Sequence, residues 1–222
     1  MRGRFITFEG GEGTGKSTHA TLLAQRLKSS GNDVLLTREP GGSPGAEIIR
    51  HIILSGAAKP LGAEAETILF ASARDDHVRT AIRPALESGT WVLCDRFADS
   101  TRVYQGIMGD VDERLIEGLE RITVGETKPD LTFILDVPVD VGLARAAHRR
   151  GEGKADRFES EAFEFHEKLR AAYRTLAARE RDRCVLIDAT MPKGKVAEQI
   201  WKFVEVRLRP KQGALDTPGA AP

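Results

Sequence analysis

The sequence contains no apolar run approaching the roughly 20 residues that span a bilayer, and no surplus of either charge. Its 33 Lys and Arg residues are cancelled by 33 Asp and Glu. No membrane span is predicted, and no global field is available to recruit nucleic acid or an anionic membrane, so any positive site must be local. Cysteine is scarce: Cys94 and Cys184 are the only two, each inside an apolar run and neither at paired metal-ligand spacing. A disulfide framework or cysteine-zinc site is therefore not expected, and buried thiols in a reducing compartment fit the pattern. Four residues precede the first β-like run, too few for a signal peptide, so a soluble cytoplasmic protein is expected. Internal repeats are also lacking. At 222 residues and 41% hydrophobic, the chain suffices for one α/β core and is short for two.

Glycine, by contrast, is concentrated where it carries chemistry. The stretch Phe5 to Thr18 reads FITFEGGEGTGKST, a β-prone run leading into Gly10, four further residues, and then Gly15, Lys16 and Ser17. This satisfies the P-loop pattern G-x-x-x-x-G-K-[ST], with a strand expected before it and a helix after. Its glycines let backbone N–H groups curl around an anion, Lys16 adds a point charge to the β- and γ-phosphates, and the Ser17 hydroxyl can ligate Mg²⁺. Gly10, Gly11, Glu12, Gly13, Thr14, Gly15, Lys16, Ser17 and Thr18 are thus expected to bind a nucleoside triphosphate.

Downstream, Ala20, Leu23, Ala24 and Leu27 recur at helical spacing until Gly31, placing Lys16 and Ser17 at a helix N-terminus whose dipole favours phosphate. Further strands are expected at 34–37, 91–94, 131–135 and 185–187. Helical periodicity recurs at 48–53, 63–86 and 115–119, from Val141, through Phe163, Leu169 and Tyr173, and from Val196 to Val204. Between Asp99 and Gly109 lies a polar, partly helical connection containing Ser100, Thr101, Tyr104 and Gln105. Strands alternating with helices predict an α/β fold, a P-loop NTPase-like, doubly wound, five-stranded parallel sheet. Residues 1–209 form one expected domain, and 210–222, rich in Gly, Ala and Pro, a disordered tail.

Asp95 ends the third strand, where a P-loop protein places a carboxylate to hold Mg²⁺ through its water shell. Thr127-Lys128-Pro129-Asp130 looks like a guanine-reading motif, but it precedes a strand instead of following one, which argues against a GTPase. Arg38 and Arg96 stand at strand ends and Arg74 on the helix before the third strand. Guanidinium forks match phosphate oxygens, so three arginines near a P-loop point to a second anionic substrate facing the triphosphate. Phe70, four residues before Arg74, shares its helical face, a geometry that can stack a base on Phe70 and hydrogen-bond its edge with Arg74.

These segments together, EGGEGTGKST, TREPGG, LFASAR, DRF, STRVYQG, KPDLTFILDV and IDAT, resemble the thymidylate kinases in order from about Phe5 to Phe203. The resemblance implies Mg·ATP as phosphoryl donor, dTMP as acceptor, and a homodimer built on the apolar helices flanking the third strand. It also implies that Phe70 stacks on thymine while Arg74 reads its edge with Thr101 nearby, in a substrate set that includes Ser100. Arg38 and Arg96 would hold the acceptor phosphate and Glu12 would reach the sugar 3′-hydroxyl. Tyr104 with Gln105 would crowd the 2′ position, and the loop Asp188 to Thr190 would border adenine.

None of the four variable P-loop residues is cationic, so transition-state charge must be met elsewhere. The segment HRRGEGKADR, His148 to Arg157, resembles the bacterial-type lid, with Arg149, Arg150 and Arg157 as its catalytic cations beside Lys16 and Arg96. A deoxynucleoside kinase, whose acceptor is a neutral hydroxyl, and a nucleotide-gated binding module are the rival readings.

Overall fold

The computed structural model describes residues 2–151 and 161–210. Five strands, β1 (Phe5–Glu9), β2 (Val34–Arg38), β3 (Trp91–Asp95), β4 (Leu131–Asp136) and β5 (Cys184–Asp188), form one parallel sheet in the order β2-β3-β1-β4-β5. The chain winds to one side of β1 for β2 and β3 and to the other for β4 and β5, so the loop leaving β1 sits at the centre of the ligand-binding edge. β2 to β5 each run past the last apolar residue, because ladder pairing is a backbone property. Arg38 pairs in register with Asp95, and Asp136 with Asp188.

Successive side chains in a strand face opposite ways, and the two faces are sorted accordingly. Ile6, Phe8, Trp91, Leu93, Leu131, Phe133 and Leu135 pack with Leu23 and Leu27 of α1 (Lys16–Ser29) and with Ile200 and Val204 of α9 (Lys193–Leu208). The alternate positions Phe5, Val92 and Cys94 pack on the other face against Val78, Ile82 and Leu86. The same parity aims the strand-end acids. Asp95, in step with Trp91 and Leu93, faces α1, while Glu9, in step with Phe5, faces the opposite layer.

The remaining helices are α2 (Pro44–Leu54), α3 (Gly62–His77), α4 (Arg83–Glu87), α5 (Ala98–Thr101), α6 (Glu113–Thr123), α7 (Val139–Arg150) and α8 (Phe163–Arg179). The single helix expected over 63–86 is interrupted by a π-helical turn at Val78–Ile82, directly upstream of Pro84, which cannot donate to the helical ladder. The connection after β3 is helical from Ala98 to Ile107, since α5 runs into a second π-turn at Arg102–Ile107 that carries Tyr104 and Gln105. Arg102 clamps it by donating to both Glu120 oxygens at 2.8 Å and to Glu180 at 2.6 Å.

Of the expected lid, His148, Arg149 and Arg150 form the last turn of α7. Most of the expected lid, including Arg157, and residues 211–222 of the expected tail lie outside the described residues. Asp130 accepts the Phe5 N–H at 2.7 Å at the entry of β1, the edge opposite the P-loop, in keeping with a turn residue and not a base reader. Among the described residues no helix is long and apolar enough to cross a membrane.

Phe133 is fully buried, 5.6 Å from the Phe8 ring centroid and 6.5 Å from that of Phe203. Phe133→Ala is expected to lower unfolding free energy by about 3–5 kcal/mol, read as a shifted urea midpoint with the slope preserved.

Candidate active site

The P-loop closes on itself before any ligand is considered. Gly10, Gly13 and Gly15 adopt positive φ (131°, 66° and 96°), and a Cβ on Gly13 would lie 1.8 Å from the Gly142 carbonyl oxygen, so glycine is what lets the loop rest on α7. Lys16 arches back and donates to the Gly11 carbonyl at 2.7 Å and the Gly10 carbonyl at 3.1 Å, and the Thr14 hydroxyl donates to Gly11 at 3.0 Å. Gly15 caps α1, and Ser17 and Thr18 stand exposed in its first turn, where backbone amides lack helical partners. Burial, with Arg96 nearby, depresses the Lys16 ammonium to about 8. The Ser17 hydroxyl donates to the Asp95 carboxylate, the contact that strand parity dictates. Together these two hard oxygen groups suit Mg²⁺ carried in by a triphosphate, an ion that keeps mostly water and phosphate oxygens around it. No cluster of three or more His, Cys, Asp or Glu side chains that could hold a metal occurs among the described residues.

Beside the P-loop opens a cavity of about 300 Å³ that Lys16, Ser17, Arg38, Phe70, Arg74, Asp95, Arg96, Ser100, Thr101, Tyr104, Gln105 and Arg149 help to line. Glu12 joins cavity and loop. Its Oε1 accepts from Arg96 Nη2 at 2.5 Å and from the Tyr104 hydroxyl at 3.2 Å. Burial works to raise the Glu12 carboxyl, but Arg96, Lys16, Tyr104 and Arg149 outweigh it and bring it down to about 2. Arg96 occupies the left-handed backbone region, φ 68°, rare for a side-chain-bearing residue and costly unless the surroundings hold it. They do: its N–H bonds the Phe8 carbonyl at 2.9 Å, and Nη1 reaches Gly10, Ser100 and Tyr173 at 3.2–3.3 Å. The guanidinium carbon also sits 5.1 Å from the centroid of the Tyr104 ring. Desolvation disfavours its charge, yet Tyr104, Glu12 and Tyr173 raise its pKa further still.

The structure gathers the three arginines of the sequence argument but pairs each with a carboxylate. Arg38 meets Glu47 at 2.9 Å and remains exposed, Arg74 meets Glu39 at 2.8 Å and is buried, and Arg96 meets Glu12. Phe70 is half-buried and belongs to no core cluster, leaving its ring to the cavity. Thr101 accepts from Arg74 at 3.0 Å, and Gln105 donates to Glu66 of α3 at 3.4 Å. Arg149 reaches the cavity from α7, and Arg150 follows it in the same turn. One turn earlier on α7, Arg145 donates to the Ala189 carbonyl at 3.0 Å, and Thr190 folds onto Asp188 through bonds of 2.9 and 2.6 Å.

Sequence reasoning missed Glu9, Glu39, Arg50 and Tyr173. Glu9 accepts from the Phe97 N–H at 2.7 Å, Ser100 at 2.6 Å and Tyr173 at 3.1 Å. Burial and the nearby Asp99 charge push its carboxyl up to about 7. Its available signal was a Glu closing an otherwise apolar strand. Tyr173 read as a core position at helical spacing, and nothing local distinguished its hydroxyl's destination. Glu39 was visible only as one letter of a turn, and Arg50 as the polar face of α2, although it donates to the Pro40 carbonyl at 2.5 Å.

A Glu12 carboxyl at about 2 in the folded protein, against 4.5 ordinarily, stabilises the fold above pH 4.5 and loses that contribution as pH falls towards 2. At neutral pH it is worth on the order of 3 kcal/mol. Glu12→Gln is expected to cost about that much at pH 7, with the gap to wild type closing as pH drops from 4.5 towards 2 in urea titrations.

Comparison with known proteins agrees with this geometry. Residues 8–200 match the sequence model of the family described as thymidylate kinase. The chain is 63% identical over 209 residues to a thymidylate kinase of Bradyrhizobium diazoefficiens, covering 94% of this chain and 92% of that protein. It is 64% identical over 207 residues to one of Nitrobacter winogradskyi, covering 93% and 90%. A crystal structure of thymidylate kinase from Ehrlichia chaffeensis superposes with a TM-score of 0.74 at 31% identity, over 92% of this chain and all of that one. The P-loop, the cavity that Glu12 joins to it, and these likenesses over nine-tenths of the length place the chain in the thymidylate kinase family.

Proposed function

We propose that the protein transfers the γ-phosphoryl group of ATP to the phosphate of dTMP, giving dTDP and ADP. The observation that carries this reading is the cavity's layout: a free aromatic face at Phe70, a hydrogen-bonding edge at Arg74, and a guanidinium at Arg96 lying between them and the P-loop. A nucleotide monophosphate laid base-first along that path would present its phosphate to Arg96 and Arg38, and its 3′-hydroxyl to the ionised Glu12. The phenolic ring of Tyr104, beside Gln105, would fill the space that a 2′-hydroxyl needs. Phosphate oxygens would replace the loop carbonyls as acceptors for Lys16, with the α1 N-terminus contributing amide donors.

The acceptor phosphate is ionised at pH 7, its second pKa being near 6, so no general base is needed. Glu12, held at about 2, is a poor base and a good acceptor, which disfavours the reading as a deoxynucleoside kinase. Mg²⁺, held with ATP by Ser17 and Asp95, would supply charge neutralisation between the β- and γ-phosphates. Lys16, Arg96 and the cations following α7, with Arg149 and Arg150 at its end and Arg157 beyond, would stabilise charge on the transferred group and close over it as a lid. Such a protein belongs in the cytoplasm with its nucleotides. Exposed Ile48 and Ile52 on α2, Ile68 on α3 and Ile122 on α6 support a homodimer formed on this side.

An ADP-release assay is expected to show turnover with dTMP and little above background with thymidine or no acceptor. Lys16→Ala and Arg96→Ala are each expected to lower kcat by about 10²-fold or more, and near-normal turnover in either would overturn the assignment. Sedimentation is expected to give a dimer that Ile68→Asp converts to monomer.

A further inference from the structure

Arg74 is buried, and most of its donors are already committed. Nε donates to Glu39 Oε2 at 2.8 Å, and Nη2 to the Phe97 carbonyl at 3.2 Å and to Thr101 Oγ1 at 3.0 Å. A guanidinium has five N–H groups, so only the two on Nη1 lack a partner among the described residues, in a side chain that lines the cavity. What Arg74 can read is therefore set by whatever fixes the orientation of its plane.

That anchor is Glu39. Its second oxygen, Oε1, lies 3.0 Å from His77 Nδ1, and His77 Nε2 lies 2.8 Å from the Thr37 hydroxyl near the C-terminal end of the edge strand β2. The Nδ1–H tautomer satisfies both contacts, donating to the carboxylate and accepting from Thr37. The Glu39 backbone is pinned as well, its N–H bonding the Asp95 carbonyl at 3.0 Å. Glu39, Arg74 and His77 are all buried. Gly42 closes the outer end, where a Cβ would lie 2.3 Å from Thr37 Oγ1 and 2.4 Å from His77 Nε2. With each carboxylate oxygen engaged, Glu39 cannot swing, and Arg74 inherits that rigidity from the sheet.

We infer that Glu39, braced by His77 and Thr37, is the positioning residue that holds Arg74 with only Nη1 offered to the ligand, restricting that edge to a base bearing a carbonyl acceptor and rejecting one bearing an amino group. A carbonyl accepts from Nη1, whereas an exocyclic amine sets donor against donor in a buried site, the arrangement that discriminates most strongly. The inference rests on the dTMP reading above and specifies how its base is chosen. Phosphoryl transfer occurs at the other end of the cavity, so the effect falls on binding and not on the chemical step.

Glu39→Gln keeps the shape but presents an N–H₂ to one of two donors. It is expected to raise the KM for dTMP about 10-fold, with kcat within about threefold and the KM for ATP unchanged. The ratio of dissociation constants for dCMP and dTMP, measured by competition, is expected to fall by about 10-fold. A folded variant with wild-type dTMP affinity and an unchanged dCMP ratio would overturn the inference. Should Glu39→Gln fail to fold, His77→Phe removes the brace while leaving the Glu39–Arg74 pair intact. It is expected to raise the dTMP KM about threefold and narrow the ratio, and wild-type values for both would overturn the inference equally. Wild-type turnover of dTMP in the same assay separates the two readings, because its absence sinks the function whereas its presence with unaltered variants sinks only the role of Glu39.

Discussion

The contact between Arg96 and Glu12 is the one on which both halves of the site depend. Arg96 adopts a left-handed backbone conformation at the end of β3, and that turn carries its guanidinium back across β1 to the P-loop. Glu12 receives it from inside the loop, along with the Tyr104 hydroxyl. A strained backbone persists only when its neighbours over-determine it, and here the Phe8 carbonyl, Gly10, Ser100 and Tyr173 all do so. The P-loop and the cavity beside it are thus joined by one half-buried ion pair, and displacement of either partner would be felt in both.

Around that pair, positive charge is stored with counter-charge close by. Arg38 has Glu47, Arg74 has Glu39, and Lys16 rests on loop carbonyls near Glu12. An unpaired buried cation would cost far more than it gains, and the buried Arg74 and Lys16 each have acceptors within reach. Lys16, depressed to about 8, carries the clearest mark of that tension. Arg74 differs from the others, because its carboxylate is itself locked by His77 and leaves the guanidinium one outward-facing nitrogen. The Arg38 pair is exposed to solvent, whereas the Arg74 pair is buried and braced.

Much of the fold was legible because it rests on local regularities. Apolar and β-prone runs marked the strands, and the helices intervening between them marked the sheet as parallel, whereas the strand order came only from the structure. The P-loop was legible because Gly10, Gly15, Lys16 and Ser17 keep a fixed spacing, whereas the need for glycine at Gly13 showed only in its approach to Gly142. The end of α7 was not legible, because His148 to Arg150 showed in the sequence only as the start of a charged segment, and charge says nothing for or against a helix. Phe70 and Arg74 were legible as a pair because spacing of four places both on one face.

The amino-acid order by itself therefore determined the parallel sheet, the phosphate loop, and which side chains stand at the strand ends, since each follows from neighbours only a few residues away. Tertiary structure alone decided who meets whom across the site: Glu39 with Arg74 and His77, Glu9 with Tyr173, Glu12 with Arg96. Such pairings join residues up to 164 positions apart. Periodicity carries no information over that distance, and only the folded sheet brings those groups into reach of one another.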